Sequence, residues 1–211
     1  MRIKTVKNLR GFRLPPGRCV PDTEIRQLFA YLRRHATTAV GIRDAAIVAV
    51  LFGTGMRRAS ICALDLTHYD AAAGTMLVSG KGNKQHLTYI GPEVASLLRR
   101  WLDLRGTAPG PLFVAIGATS NPAAMIAHLH RLAPDSVGML VSGLRRATGL
   151  QFSSHDARRT YISNAIDRTH DLVAVKELVG HAQITTTARY DRRGEEAKKK
   201  VAAAMTLPID E

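Results

Sequence analysis

TMLVSGKGNKQHLTYI, residues 75–90, decides whether this 211-residue chain is all-helical or mixed. Two β-prone runs flank GKGN, and that is hairpin composition. GKGNK is not a phosphate-binding loop. It lacks the spacing from the first glycine to a Gly-Lys-Ser/Thr end, and a strand follows where such a loop needs a helix. A lysine at a hairpin tip is usually soluble turn chemistry; it can also swing an ammonium into a site built by neighbouring elements.

Outward from the hairpin the pattern turns helical. Pro92 opens an amphipathic helix through Val94, Leu97, Leu98, Trp101 and Leu102. Upstream, Asp22 or Thr23 caps a helix to about His35, with Ile25, Leu28, Phe29 and Leu32 at helical spacing. Asp44 to Phe52 reads as a buried helix interrupted by Gly53 and Gly55, followed by a helix through Ala59, Cys62 and Leu64. A Gly- and Pro-rich loop spans 106–122, and a helix runs from Asp135 to about Thr148, ended by Gly149. Ser154 caps a helix through Tyr161 and Ile166. Asp171 caps the next, which ends at Gly180. A last helix covers roughly Gly194 to Ala204. The expected class is mainly α with a small antiparallel β-sheet (α+β).

The chain carries 30 basic and 17 acidic residues, a net +13. That surplus favours a polyanion, either nucleic acid or an acidic membrane surface. Aromatics are 5%, which argues against reading single strands mainly by stacking. Cys19 and Cys62 form no disulfide framework and no metal spacing, which fits a reducing cytoplasm. No apolar run is long enough to span a bilayer, and the basic first residues lead into no secretory signal. Residues 1–18 hold Arg2, Lys4, Lys7, Arg10, Arg13 and Arg18 with no acid, as a linker or arm along a phosphate backbone would. A solvated, irregular start is equally compatible.

Three further stretches carry candidate chemistry. In SSHDARRT, with Ser154 as N-cap, free N–H groups and the helix dipole favour an anion. His155 and Arg158 project together, three residues apart. Arg158 begins the core-facing stripe while Arg159 falls off it. Taken alone, a half-buried arginine is more often half of a structural salt bridge, here with Asp156 or another acid. In GTGMRRASICAL, Arg57 falls in a helix's first turn, where the dipole disfavours cations, so an anion is expected nearby. In VGHAQITTTARY, residues 179–190, His181 and Tyr190 are nine apart. One straight helix would hold them on opposite faces about 13 Å apart. Gly180 supplies a break, and Thr185 or Thr186 caps a short new helix.

Together these motifs resemble the catalytic domain of the tyrosine site-specific recombinases, the phage integrase family, from about Pro21 to Ala204. TGMRRASICAL is similar to its first arginine box, GKGNKQ to its hairpin lysine, HDARRT to its H-x-x-R box, and VGHAQITTTARY to its G-H box and nucleophile. The resemblance implies a fold shared with type IB topoisomerases and six catalytic residues: Arg57, Lys81, His155, Arg158, His181 and Tyr190. The two arginines would clamp the scissile phosphate. Lys81 would protonate the leaving 5′ oxygen, and His155 would help take the proton from Tyr190. His181 would hydrogen-bond the phosphate, and Tyr190 would attack to give a 3′-phosphotyrosyl intermediate. No cofactor, metal or ATP is implied. The expected partners are double-stranded DNA and further copies of the chain, four on DNA exchanging tail helices. No membrane and no small-molecule substrate are expected. The implied task is integrating or excising a mobile element, in a bacterial, nucleoid-associated cytoplasmic setting.

Two positions depart from the family pattern. Ser60 stands where Glu is frequent and brings no negative charge, so His155 would be held less firmly unless Asp156 or Asp44 compensates. Ala157 stands where Leu is usual. The expected division is a linker or arm over 1–18 and a catalytic domain with its tail over 19–211. The family's N-terminal clamp domain is not part of this sequence, and truncation is the expectation. Three rival readings share some of these features: a type IB topoisomerase with the same chemistry, a metal phosphohydrolase built on His155 and Asp156, and a catalytically silent DNA-binding regulator. The metal reading lacks ligands, since His128 and His130 diverge on a helix.

Overall fold

A computed structural model of the chain describes residues 17–80, 85–116 and 129–205. Lys81 and the hairpin tip, the arm over 1–16 and His128 lie outside the described residues.

The centre of the domain is α2 (Ala39–Thr54). From Ala45 to Leu51 every side chain is buried, so the helix is apolar on all sides and must be enclosed. It is packed by α1 (Asp22–His35), α4 (Pro92–Arg105) and α6 (Ser154–Thr169). It starts five residues ahead of Asp44 because the Thr38 side chain accepts a hydrogen bond from the Gly41 N–H at 3.1 Å. Gly53 does not interrupt it. Gly53 is helical, and an added Cβ there would overlap Cγ2 of Val94 on α4, so this glycine sets how closely the two helices approach. The stop is Gly55, left-handed at φ 64°, whose N–H returns to the Leu51 carbonyl.

α1 follows Pro21 rather than a side-chain cap and buries Leu28 and Leu32. α4 buries Val94, Leu98 and Trp101, with Trp101 Nε1 donating to the Leu112 carbonyl at 2.9 Å. α5 (Pro134–Thr148) buries Val137, Val141 and Leu144, ends on left-handed Gly149, and packs on α3 (Arg58–Ala63).

The hairpin forms as its composition requires. β2 (Thr75–Ser79) pairs antiparallel with β3 (Gln85–Tyr89), Val78 opposite His86. A two-residue strand, β1 (Tyr69–Asp70), adds a third, giving the order β1-β2-β3. Met76, Val78 and Thr88 are buried along one face. The mainly helical class with a small antiparallel sheet is the observed one.

The C-terminal third is built from α6, α7 (Leu172–Leu178), α8 (Ile184–Ala188) and α9 (Gly194–Ala204). A second small core forms from Ile162, Ile166, Val175 and Val179, with Tyr161, Leu172 and Tyr190 packed against it. No helix among the described residues is long and apolar enough to cross a membrane.

Candidate active site

The site is assembled by the turn after α2, the start of α6 and the turns flanking α8. Ser153, not Ser154, caps α6. Its Oγ accepts from the Asp156 N–H at 3.1 Å, while the Asp156 carboxylate accepts from the Ser153 N–H at 2.9 Å. This reciprocal capping box fixes the first turn. The other Asp156 oxygen accepts from the Arg18 N–H at 2.7 Å. Asp156 is therefore committed to the cap and to the chain entering α1. The acid expected to orient His155 in place of a glutamate is not supplied from here. Asp44 does not supply it either, because its carboxylate is bound by Arg43. Ser60 Oγ reaches the Ser79 carbonyl at 3.5 Å, tying α3 to the hairpin. His155 stands exposed on the first turn of α6, one turn ahead of Arg158.

Arg158 is 6% exposed. Its Nη1 donates to the Gly55 carbonyl at 2.7 Å and its Nη2 to the Val179 carbonyl at 2.9 Å. The expected salt bridge to Asp156 is not made, because that carboxylate serves the cap. Among the described residues no carboxylate pairs with Arg158. Two glycine-adjacent turns, 124 residues apart in sequence (179 − 55), are cross-linked by one guanidinium. Burial and then the neighbouring Arg57 pull its pKa down to about 10, and Tyr190 opposes the shift. A cation held this way is solvated by carbonyl dipoles and lacks a counter-ion, so an arriving anion gains most of what a salt bridge would give.

Arg57 is exposed, and it is not in a first helical turn as the spacing suggests. It is the residue before α3, extended at φ −74° and ψ 149°, because left-handed Gly55 redirects the chain. Its charge reaches Arg158, His181 and His86, lowering the pKa of each.

His181 is buried at the turn after α7. Glu177 O accepts from the Gly180 N–H, and Lys176 O from the His181 N–H at 3.0 Å, which closes the helix end. Neither Thr185 nor Thr186 caps α8; Gln183 precedes it. The threonine that matters is Thr187, fully buried, with Oγ1 2.9 Å from His181 Nδ1. Burial, then Arg158 and Arg57, hold the imidazole down at about 4, so it is neutral near pH 7. Tyr190 follows α8, its ring centroid 6.1 Å from that of His181 and nearly parallel at 19°. The Tyr190 carbonyl accepts from Ser163 Oγ at 3.3 Å, which pins the end of α8 to α6.

Arg57, Arg158, His181 and Tyr190 are thus brought together, with His155 on the same helix as Arg158. Three neighbours of the site are not among the expected residues. His86 lies on β3 with its ring over Gly180: an added Cβ there would come within 2.7 Å of Nδ1. Its position opposite Val78 marked it as a residue of the inward face. Thr187, one helical turn before Tyr190, carried the signal of spacing. Arg159 was expected off the core stripe, yet it is 9% exposed, and its guanidinium carbon lies 5.5 Å from the Tyr190 ring centroid. The buried face of α6 is wider than the expected stripe and takes in Asp156, Ala157, Arg158, Arg159 and Thr160 together. Among the described residues no three of His, Cys, Asp or Glu come together as a metal-holding group.

This constellation can be set beside known proteins. The model of the "Phage integrase family" matches residues 18–196. The chain belongs to the phage integrase family. Within it, the chain is 37% identical over 153 residues to tyrosine recombinase XerC of Azotobacter vinelandii, covering 70% of this chain and 47% of that protein. It is 34% identical over 150 residues to XerC of Pseudomonas putida, with the same two coverages. The chain spans about half the length of the curated relatives it matches. Its fold is that of the XerA recombinase crystal structure, with a TM-score of 0.68 at 21% identity, covering 92% of this chain and 68% of that one. It also matches XerH bound to its difH substrate in a pre-cleavage complex, at 0.69 and 20%, covering 91% and 55%.

Proposed function

We propose that the chain is the strand-cleaving and rejoining portion of a site-specific DNA recombinase, working through a covalent 3′-phosphotyrosyl intermediate. The observation that carries this reading is the buried Arg158, cationic and without a carboxylate, beside the phenol of Tyr190 and the neutral imidazole of His181. A scissile phosphate seated there would meet Arg57 and Arg158. The Tyr190 oxygen attacks phosphorus, the bond to the 5′ oxygen breaks, and Lys81 delivers a proton to that oxygen. His155 receives the phenol proton. The product is still a phosphodiester, so a 5′ hydroxyl from another strand end reverses the step without ATP. Arginines that stabilise the extra charge of the transition state are worth about 3–4 kcal/mol each in comparable preorganised sites. The charge set does the work that a metal ion does elsewhere, so no metal requirement is proposed.

The partners proposed are double-stranded DNA and further copies of this chain, four on a paired site. Their exchange of tails is supported by a groove of about 1050 Å³ between α1, α2, α4 and α6, lined by Phe29, Phe52, Leu97 and Tyr161. It is supported too by the apolar Val201 and Met205, exposed on α9 and just beyond it. The division into a linker over 1–18 and a catalytic domain beyond it is supported by Arg18 and Val20. Arg18 Nε donates to the Gln151 carbonyl at 2.6 Å, and the Val20 N–H to Thr160 Oγ1 at 2.8 Å, so the chain enters along α6. The narrower reading is that the DNA moved is a mobile element.

The test uses a pool of nicked duplexes with randomised cores. The wild-type chain is expected to form an SDS-resistant DNA adduct, and Tyr190→Phe none. An adduct from the phenylalanine variant would remove Tyr190 as nucleophile. The sequences recovered from the adduct decide between element ends and a chromosomal site.

A further inference from the structure

Arg159 follows Arg158 by one residue, about 100° further round α6, and takes a different course. Arg158 runs to the two turns, while Arg159 runs to the phenol ring. The backbone of Tyr190 is held through Ser163, and one side of its ring packs against the small core of Ile162, Ile166, Val175 and Val179. The His181 ring lies 6.1 Å away between centroids and the Arg159 guanidinium 5.5 Å from the ring centroid. Arg159 is itself confined from outside. Gly17, at φ 133°, packs so closely that an added Cβ would fall 3.3 Å from Arg159 Nε. The face of an aromatic ring attracts a guanidinium, so the contact between Arg159 and Tyr190 is a favourable one. The support is asymmetric. Tyr190 lies two residues beyond a five-residue helix, whereas Arg159 projects from a sixteen-residue helix with a capping box.

We propose that Arg159 is a positioning residue for Tyr190, its guanidinium lying over the phenol so that the nucleophilic oxygen is kept in the pocket of Arg158 and His181. This rests on the reading of Tyr190 as nucleophile. Arg159 takes no part in the bond changes. It narrows the orientations from which Tyr190 attacks, which is a rate effect and not a DNA-binding effect. The contribution comes from the cation, so lysine, which keeps the charge, retains part of it, and an uncharged side chain of similar length retains none.

The test measures single-turnover adduct formation and DNA affinity on the same nicked duplexes, for wild type, Tyr190→Phe, Arg159→Met and Arg159→Lys. Thermal unfolding checks that each variant is folded, and Arg159→Gln replaces the methionine variant if that one is not. The methionine variant is expected to form adduct about tenfold more slowly, within the range of a desolvated cation–π contact, with DNA affinity unchanged. The lysine variant is expected to recover most of the rate. A methionine variant at the wild-type rate overturns the inference, as does a lysine variant equally slow. Affinity falling in step with rate also overturns it, since Arg159 would then be a DNA contact. A wild type that forms no adduct, or a phenylalanine variant that does, overturns the nucleophile reading instead and the inference with it.

Discussion

His181 shows how one side chain reports the charge of the whole site. Its pKa of about 4 lies below the ordinary 6.5 because burial removes water and Arg158 and Arg57 oppose a third positive charge. Between pH 6.5 and 4 the unfolded chain takes up a proton that the folded chain refuses. Stability therefore falls as pH drops through 6.5, and the loss is complete near pH 4. The gap corresponds to about 3 kcal/mol. Melting temperatures from pH 7 to 4 should fall more steeply for wild type than for His181→Gln. Parallel curves would mean that His181 titrates normally in the fold. A phosphate seated by Arg57 and Arg158 would offset their charge and raise the imidazole again, which suits a group that meets the phosphate only when DNA is present. Arg158 poses the complementary case: an arginine that reads as a salt-bridge partner in sequence is held by carbonyls in the fold, and this leaves its charge for a ligand.

At the scale of elements, the turns between helices set the chemistry more than the helices do. Gly55 and Gly180 are both left-handed, at φ 64° each, and both are crowded: Tyr161 lies against the first and His86 against the second. Gly149 ends α5 in the same backbone region, at φ 74°, with nothing near it. The contrast separates two costs. Gly149→Ala should lose only the backbone term of about 1–2 kcal/mol. Gly180→Ala should lose that plus about 1–3 kcal/mol for displacing the His86 ring. Chemical denaturation of the two variants measures the difference, and equal losses would mean that the imidazole yields freely. The hairpin thereby has a structural part of its own. Through His86 it buttresses the turn that presents His181. The start of α6, the hairpin and the glycine stops at Gly55, Gly149 and Gly180 were legible in sequence to within a residue or two. Arg57, Ser153 and Gln183 shifted because a helix begins where its caps and turns can be satisfied, and several neighbouring polar residues could each have served.

Among the described residues, a closed core carries the cationic site and an apolar groove at its surface. The groove is bordered by charged residues, Asp22, Arg33, Glu93 and Arg168, around an apolar floor. Leu97 lies on that floor, half-buried, so Leu97→Glu should leave the fold and single-copy DNA binding intact. It should abolish the assembly of several copies on one paired site, as read by gel mobility and native mass. Assembly at the wild-type level would remove the groove as the place where tails dock.

The sequence alone carried the class, the order of elements and the six residues proposed for chemistry. Hydrophobic period, glycine stops and ordered motifs are local properties, and they survive in one dimension. Only the tertiary structure decided which charges remain unpaired. Asp156 turned out to be a cap, Arg158 a cross-link between two distant turns, Thr187 the partner of His181 and Arg159 the neighbour of Tyr190. Each of these depends on which groups reach one another across gaps of up to 103 residues, as between Arg158 and Gly55. Pairing energy falls off within a few ångströms, so proximity in space, which spacing along the chain does not encode, sets it.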